Sequence, residues 1–138
     1  MKKIFLSKPI NLDLGLLLLR VVFGGLMAFM HGWGKLINYA DKSDKFLSFI
    51  GLSPAVSLSL TIFAEFFCSI FLVLGLFTRY ASIPSIIAML VAVFVAHADD
   101  PFKEAEHAFL YLIAYIVILF TGPGKYSLDA LISKKFEE

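Results

Sequence analysis

Cysteine is nearly absent. Cys68 is the one thiol in 138 residues, which excludes an intrachain disulfide and a self-contained dithiol relay. Charged residues make up only 17% of the chain, with a formal net charge of +1, and the basic ones are spread out, so nothing calls for nucleic acid as a partner. There is no haem-attachment motif and no H-E-x-x-H spacing of the kind that holds zinc. Gly122, Pro123 and Gly124 lack the preceding strand and following helix of a phosphate-binding loop, and read as a helix stop. No internal repeat is visible. The chain therefore brings no redox cofactor motif of its own.

Apolar residues are what it has in plenty, 59% of the total with a mean hydropathy of +0.86, too little polar surface to cover a soluble globule of this size. The sequence predicts one integral membrane domain over residues 1–138, an all-α bundle of four transmembrane helices. The spans fall at about 12–31, 54–77, 80–98 and 101–121. The basic start, with Lys2, Lys3 and Lys8, resembles a signal peptide, but no small-residue cleavage site follows, so the first run is read as a retained span. Asn11 or Asp13 can cap it, Ser53 before Pro54 caps the second, and Asp100 before Pro101 caps the fourth. Between spans one and two, residues 33–50 carry too many charges to cross a bilayer. Lys35, Asn38, Asp41, Lys42 and Lys45 recur every three or four residues opposite Trp33, Leu36, Ile37 and Leu47, which predicts an amphipathic helix lying in the interface. The tail beyond Gly124 is polar and expected to be only partly ordered.

Two ionisable side chains sit well inside apolar runs, Arg20 and Glu65. A charge at that depth costs roughly 2.5 to 3.5 kcal/mol on insertion scales, so each should face other helices and find a partner. Arg20 shares a stripe with Gly24, Met27, Ala28 and His31. Glu65 shares one with Ser57, Thr61 and Ser69. The two are expected to pair, either to hold or relay a proton beside a small ligand or only to fix helix register.

Lys2, Lys3, Lys8, Arg79, Lys125, Lys134 and Lys135 fall on one side of a four-span chain and Lys35, Lys42, Lys45 and Lys103 on the other, which predicts that both termini face the cytoplasm. His31, His97 and His107 then collect at the outer face with Asp99, Asp100, Glu104 and Glu106. These are read either as a metal or proton-handling site or as ordinary interfacial polar residues. No paired ligand spacing supports a metal, and none is expected.

Several local patterns together resemble the DoxX family of small four-span membrane proteins. They are the Arg20 span with Gly24 and Gly25; His31, Gly32, Trp33, Gly34 and Lys35 at its exit; Glu65 followed by Leu74 through Arg79; and Glu106 through Leu110 and Tyr111 to Gly122 and Asp129. The resemblance covers about residues 12–131. It implies a protein of the bacterial cytoplasmic membrane, grouped with subunits of quinone-linked oxidoreductases such as the thiosulfate:quinone enzyme, some relatives looking like anchors in oxidative-stress complexes. On that footing Arg20, Glu65, His31, His97 and Glu106 are the candidates for catalytic proton handling. Trp33, Lys35, His107 and Tyr111 are the candidates for holding a quinone. The bilayer, a redox partner subunit and a second copy of the chain are the partners to look for. A non-enzymatic membrane scaffold and a small-solute transporter stay open as alternatives.

Overall fold

The computed structural model describes residues 9–137, so the basic start read from Lys2, Lys3 and Lys8 lies outside the described residues. Four helices are long and apolar enough to cross a membrane: α1 (Leu12–Ile37), α3 (Pro54–Leu74), α4 (Thr78–Ala96) and α5 (Phe102–Thr121). Two short helices complete the described residues, α2 (Tyr39–Lys42) between the first two spans and α6 (Leu128–Glu137) after the last. The spans run up and down, α1 packing on α3 and α5, and α4 on the same two. This is an all-α four-span membrane protein. The outward faces carry Leu18, Val22, Phe29, Leu60, Phe67, Phe94 and Ile113, all exposed, as a hydrocarbon surrounding requires.

The helix ends follow local chemistry. Asn11 Oδ1 accepts the Leu14 amide at 3.0 Å, and Ser53 Oγ accepts that of Val56 at 3.3 Å with Pro54 in the first turn. Asp100, expected to cap α5, instead pairs with His97 Nδ1 at 2.8 Å, and α5 starts without a side-chain cap. Gly122, at φ +79°, ends α5 as expected. Pro84 falls in the interior of α4, which starts at Thr78.

Two stretches differ in extent from the sequence reading. The helix expected over 33–50 is divided: Trp33–Ile37 is the last part of α1, Tyr39–Lys42 is a single short helix, and the chain then runs without regular helix to Ser53. Asn38, at φ −105° and ψ 29°, breaks the helical path. The tail expected to be loosely ordered forms α6. Its Asp129 carboxylate accepts the amides of Phe77 and Thr78 at 2.8 and 2.9 Å, capping the free N–H groups at the start of α4. The Asp129 amide in turn donates to the Gly75 carbonyl at 2.9 Å. A local pattern of polar residues gave no hint of this anchor some fifty residues away in sequence.

Between the spans the core is built from Met27, Cys68, Leu72, Ala81, Met89, Leu112, Tyr115 and Ile118, all buried. Small residues set the closest approach of α1 and α3. A Cβ on Gly24 would lie 2.9 Å from the Ser69 carbonyl oxygen, and one on Gly32 would lie 2.8 Å from the backbone of Glu65. These contacts fix a register in which Gly32 lies level with Glu65, about midway along α3.

Candidate functional site

Arg20 and Glu65 do not meet. The fully buried Arg20 guanidinium donates to the carbonyls of Leu72 at 2.9 Å, Val73 at 3.2 Å and Tyr126 at 2.6 Å. Glu65 accepts instead from Lys35 Nζ at 2.5 Å. The register explains the correction. Glu65 stands opposite Gly32, twelve residues beyond Arg20, and twelve residues of helix rise about 18 Å, too far for an Arg to reach. Side-chain direction widens the gap. Helical side chains lean toward their own N-terminus, so Arg20 leans away from Glu65 while Lys35, further along α1, leans back down toward it.

The Arg20 environment is that of a cap. The last carbonyls of a helix have no partner within it and carry the negative end of its dipole, and a guanidinium offers donors in a planar fork that can serve several of them at once. Arg20 thereby ties α1 to the end of α3 and to the segment entering α6. Gly75, at φ +67°, makes the turn possible. A Cβ there would lie 2.5 Å from that of Ser127 and 2.6 Å from Arg20 Nη1.

At the opposite end of the bundle a cavity of about 540 Å³ opens among α1, α3, α4, α5 and the chain after α2. His31, Lys35, Glu65, His97, Glu104, His107 and Tyr111 all line it, with Met27, Thr61, Met89 and Ala92 completing much of the wall. Three of the four spans carry a wider, π-helical turn here, over Met27–Gly32, Phe63–Cys68 and Ala92–Ala96. Such turns shift the facing of the side chains within them and recur at functional sites. They contribute His31 from α1, Glu65 from α3 and the Ala92 and Ala96 wall from α4. The His31 ring packs edge-on against Tyr111, their centroids 5.7 Å apart, and Tyr111 leads on to the buried Tyr115 at 6.1 Å. Below Glu65, Met27, Cys68, Leu72, Tyr115 and Ile118 close the floor, each no more than 2% exposed.

Of the residues singled out from the sequence, Glu65, His31, His97, Lys35, His107 and Tyr111 share this cavity. Arg20 lies at the other end of the bundle. Glu106 is exposed and absent from the lining, where Glu104 stands in its place. Trp33 also faces away, 46% exposed, with its ring 5.8 Å from that of Phe66 on the outer surface. Among the described residues no three of His, Cys, Asp and Glu come close enough together to hold a metal ion. The pairing that the sequence reading missed is Lys35 with Glu65. Its signal was the spacing from His31 to Lys35, one more helical turn along the same stripe of α1.

Fold and site together define a multi-pass membrane protein with a titratable cavity at one end of its bundle. The chain belongs to the DoxX family, whose model matches residues 15–98, from α1 to just past the end of α4 and so including Lys35, Glu65 and His97. It is 27% identical over 130 residues to the inner membrane protein YqjF of Escherichia coli K12, covering 90% of this chain and 96% of that one. It is 26% identical over 103 residues to an uncharacterized protein of Haemophilus influenzae, covering 71% of this chain and 68% of that protein. No solved structure matches. The four apolar helices and the inner-membrane relative support a place in the bacterial inner membrane.

Proposed function

We propose that the cavity binds the head of a quinone and manages its protons, the chain serving as the membrane subunit of a quinone-linked oxidoreductase whose electron-carrying cofactor belongs to a partner subunit. The observation that carries this reading is the convergence of seven titratable side chains on one cavity that also borders an apolar, lipid-facing groove. Its size falls within the roughly 300 to 1,000 Å³ usual for small-molecule sites, with a few polar groups set in an otherwise apolar wall. A quinone supplies two-electron chemistry, taking up two electrons and two protons to become the hydroquinone. The residues supply what that needs at the protein side. Glu65, buried and held by Lys35, can hold or give up a proton at its carboxylate, with Lys35 answering the change in charge. His31 and His107, nearer the mouth, can pass protons to and from water. The Tyr111 phenol can donate to a carbonyl oxygen of the head.

The basic residues on the Arg20 side support an orientation with both termini in the cytoplasm and the cavity mouth facing outward. The tightly packed floor of Met27, Cys68, Leu72, Tyr115 and Ile118, each no more than 2% exposed, weighs against an open solute path through the bundle. The test is the quinone content of protein isolated from native membranes with its lipid kept. We expect quinone in near-stoichiometric amount in the wild type and at least about ten-fold less in a Lys35→Met, Glu65→Gln double variant, a loss of about 1.4 kcal/mol or more in binding. Equal quinone in both proteins, or none in either, overturns the reading. A co-purifying protein partner without quinone would put a scaffold in its place.

A further inference from the structure

We infer that the molecule whose head occupies the titratable cavity carries a long apolar tail, that the tail lies in the neighbouring lateral groove, and that the molecule enters through this groove from the bilayer rather than from water. The inference rests on the reading of the cavity just given and adds where the ligand comes from and what sets its tail preference.

The groove, about 370 Å³, runs between the chain after α2 and the outer faces of α3 and α4. Its walls are almost wholly apolar. Phe49, Ile50 and Leu52 close it from one side, Leu60 and Phe63 from α3, and Ile87 from α4. It is continuous with the cavity: Phe46, Leu47, Thr61, Ala88 and Val91 line both. Phe46 and Leu47 therefore stand where a head on the Glu65 side would join a tail on the lipid side.

Ser57, only 6% exposed, lines the groove one helical turn from Thr61, and its hydroxyl has no hydrogen-bond partner. A hydrocarbon tail would leave it so; what fits a tail is the apolar wall and its continuity with the cavity. The chain that forms the outer wall is held in an unusual path. Ile50, a β-branched residue, sits at φ +51° and is followed by Gly51 at φ +74°. The Leu52 amide donates to the Phe49 carbonyl at 2.9 Å, so the two positive-φ residues form a tight turn with Ile50 80% exposed at its tip. Tyr39, bonded to Ser59 at 2.9 Å and to the Ala55 carbonyl at 3.2 Å, secures the start of that wall to α3.

The occupant is thus an amphiphile with a compact, proton-exchanging head and a single flexible hydrocarbon or isoprenoid tail. A water-soluble solute of the same head chemistry would leave the groove to lipid. Phe46 and Leu47 act as specificity-determining residues at the junction, and Leu60 and Ile87 as the rim over the tail.

The experiment compares two probes in nanodiscs of one phospholipid composition: a dimethoxy-methyl-benzoquinone without a tail, and the same head bearing a decyl tail, each at equal concentration in the membrane. Wild-type protein is compared with Leu60→Trp and Ile87→Trp, both at exposed positions outside the core. In the wild type the decyl probe should bind at least about ten-fold more tightly than the tail-less one, about 1.4 kcal/mol, which must come from packing of the tail against the groove walls because the tail leaves hydrocarbon rather than water. Each Trp variant should remove that advantage while leaving the tail-less probe within about two-fold of wild type, a change of less than about half a kcal/mol. If the tail-less probe binds and the decyl tail adds nothing, or if the Trp variants weaken both probes alike, the groove has no such role and the inference falls while the cavity reading stands. If neither probe binds wild-type protein, the cavity reading falls and takes this inference with it.

Discussion

Removing Arg20 and removing Glu65 should be independent injuries, although both are buried ionisable groups in neighbouring spans. In Arg20→Met three charge-assisted hydrogen bonds are lost, to Leu72, Val73 and Tyr126. At roughly 1.5 to 3 kcal/mol each the gross loss is about 5 to 9 kcal/mol, and relief from burying a guanidinium returns several of these, leaving a net loss of about 3 kcal/mol. Glu65→Gln should cost about 1 to 3 kcal/mol through the Lys35 contact alone. The two sites lie about 18 Å apart along α1, so the double variant should lose the sum, within about 0.5 kcal/mol. The pair Lys35→Met with Glu65→Gln should behave oppositely, with a coupling of about 1.5 kcal/mol or more. Unfolding in mixed micelles by rising fractions of a denaturing detergent, followed by far-UV circular dichroism, gives the free energies of wild type, the three single variants and the two double variants. Coupling above about 1 kcal/mol between Arg20 and Glu65, with none between Lys35 and Glu65, would refute the register described here.

Two further substitutions probe the Arg20 end. Gly75→Ala should cost about 2 to 4 kcal/mol, combining a left-handed backbone position with a Cβ forced against Ser127 and Arg20, and should show in the same unfolding assay as a loss comparable to that of Arg20→Met. Asp129→Ala should cost about 1 to 2 kcal/mol by freeing the amides of Phe77 and Thr78, and hydrogen exchange should rise at the start of α4 while the cavity end stays protected; uniform loss of protection would argue against a local cap.

Much of this architecture was legible in the sequence, because the bilayer imposes simple rules on length and polarity. Three of the spans end within about three residues of where they were expected, while α1 runs six residues past its expected stop. That one boundary had a large effect. Ending the first span at His31 left Lys35 in a separate interfacial element, and Glu65 was then assigned to the other buried cation. Of the stripe Arg20, Gly24, Met27, Ala28 and His31, the first four are buried and His31 is exposed. What periodicity could not supply was the vertical register of α1 against α3, which Gly24 and Gly32 set through their contacts with particular backbone atoms. His31, His97 and His107 come from or beside three span ends and all line the cavity. The choice of Glu104 over Glu106 depended on helical phase at the start of α5, where no side-chain cap fixes the first turn. Nor could the anchoring of α6 be seen, since its contacts join Asp129 to residues far back along the chain.

The knot around Arg20 bears on how the molecule is made. Its first span enters the membrane with a bare guanidinium, because the carbonyls of Leu72 and Val73 do not yet exist and that of Tyr126 comes later still. Until α3 follows, the first helix has none of these acceptors, and until the stretch around Tyr126 arrives one donor of the guanidinium still lacks its partner. The knot is therefore completed only by the far end of the chain, and a truncation there would leave an early span incompletely satisfied rather than merely shorten a tail.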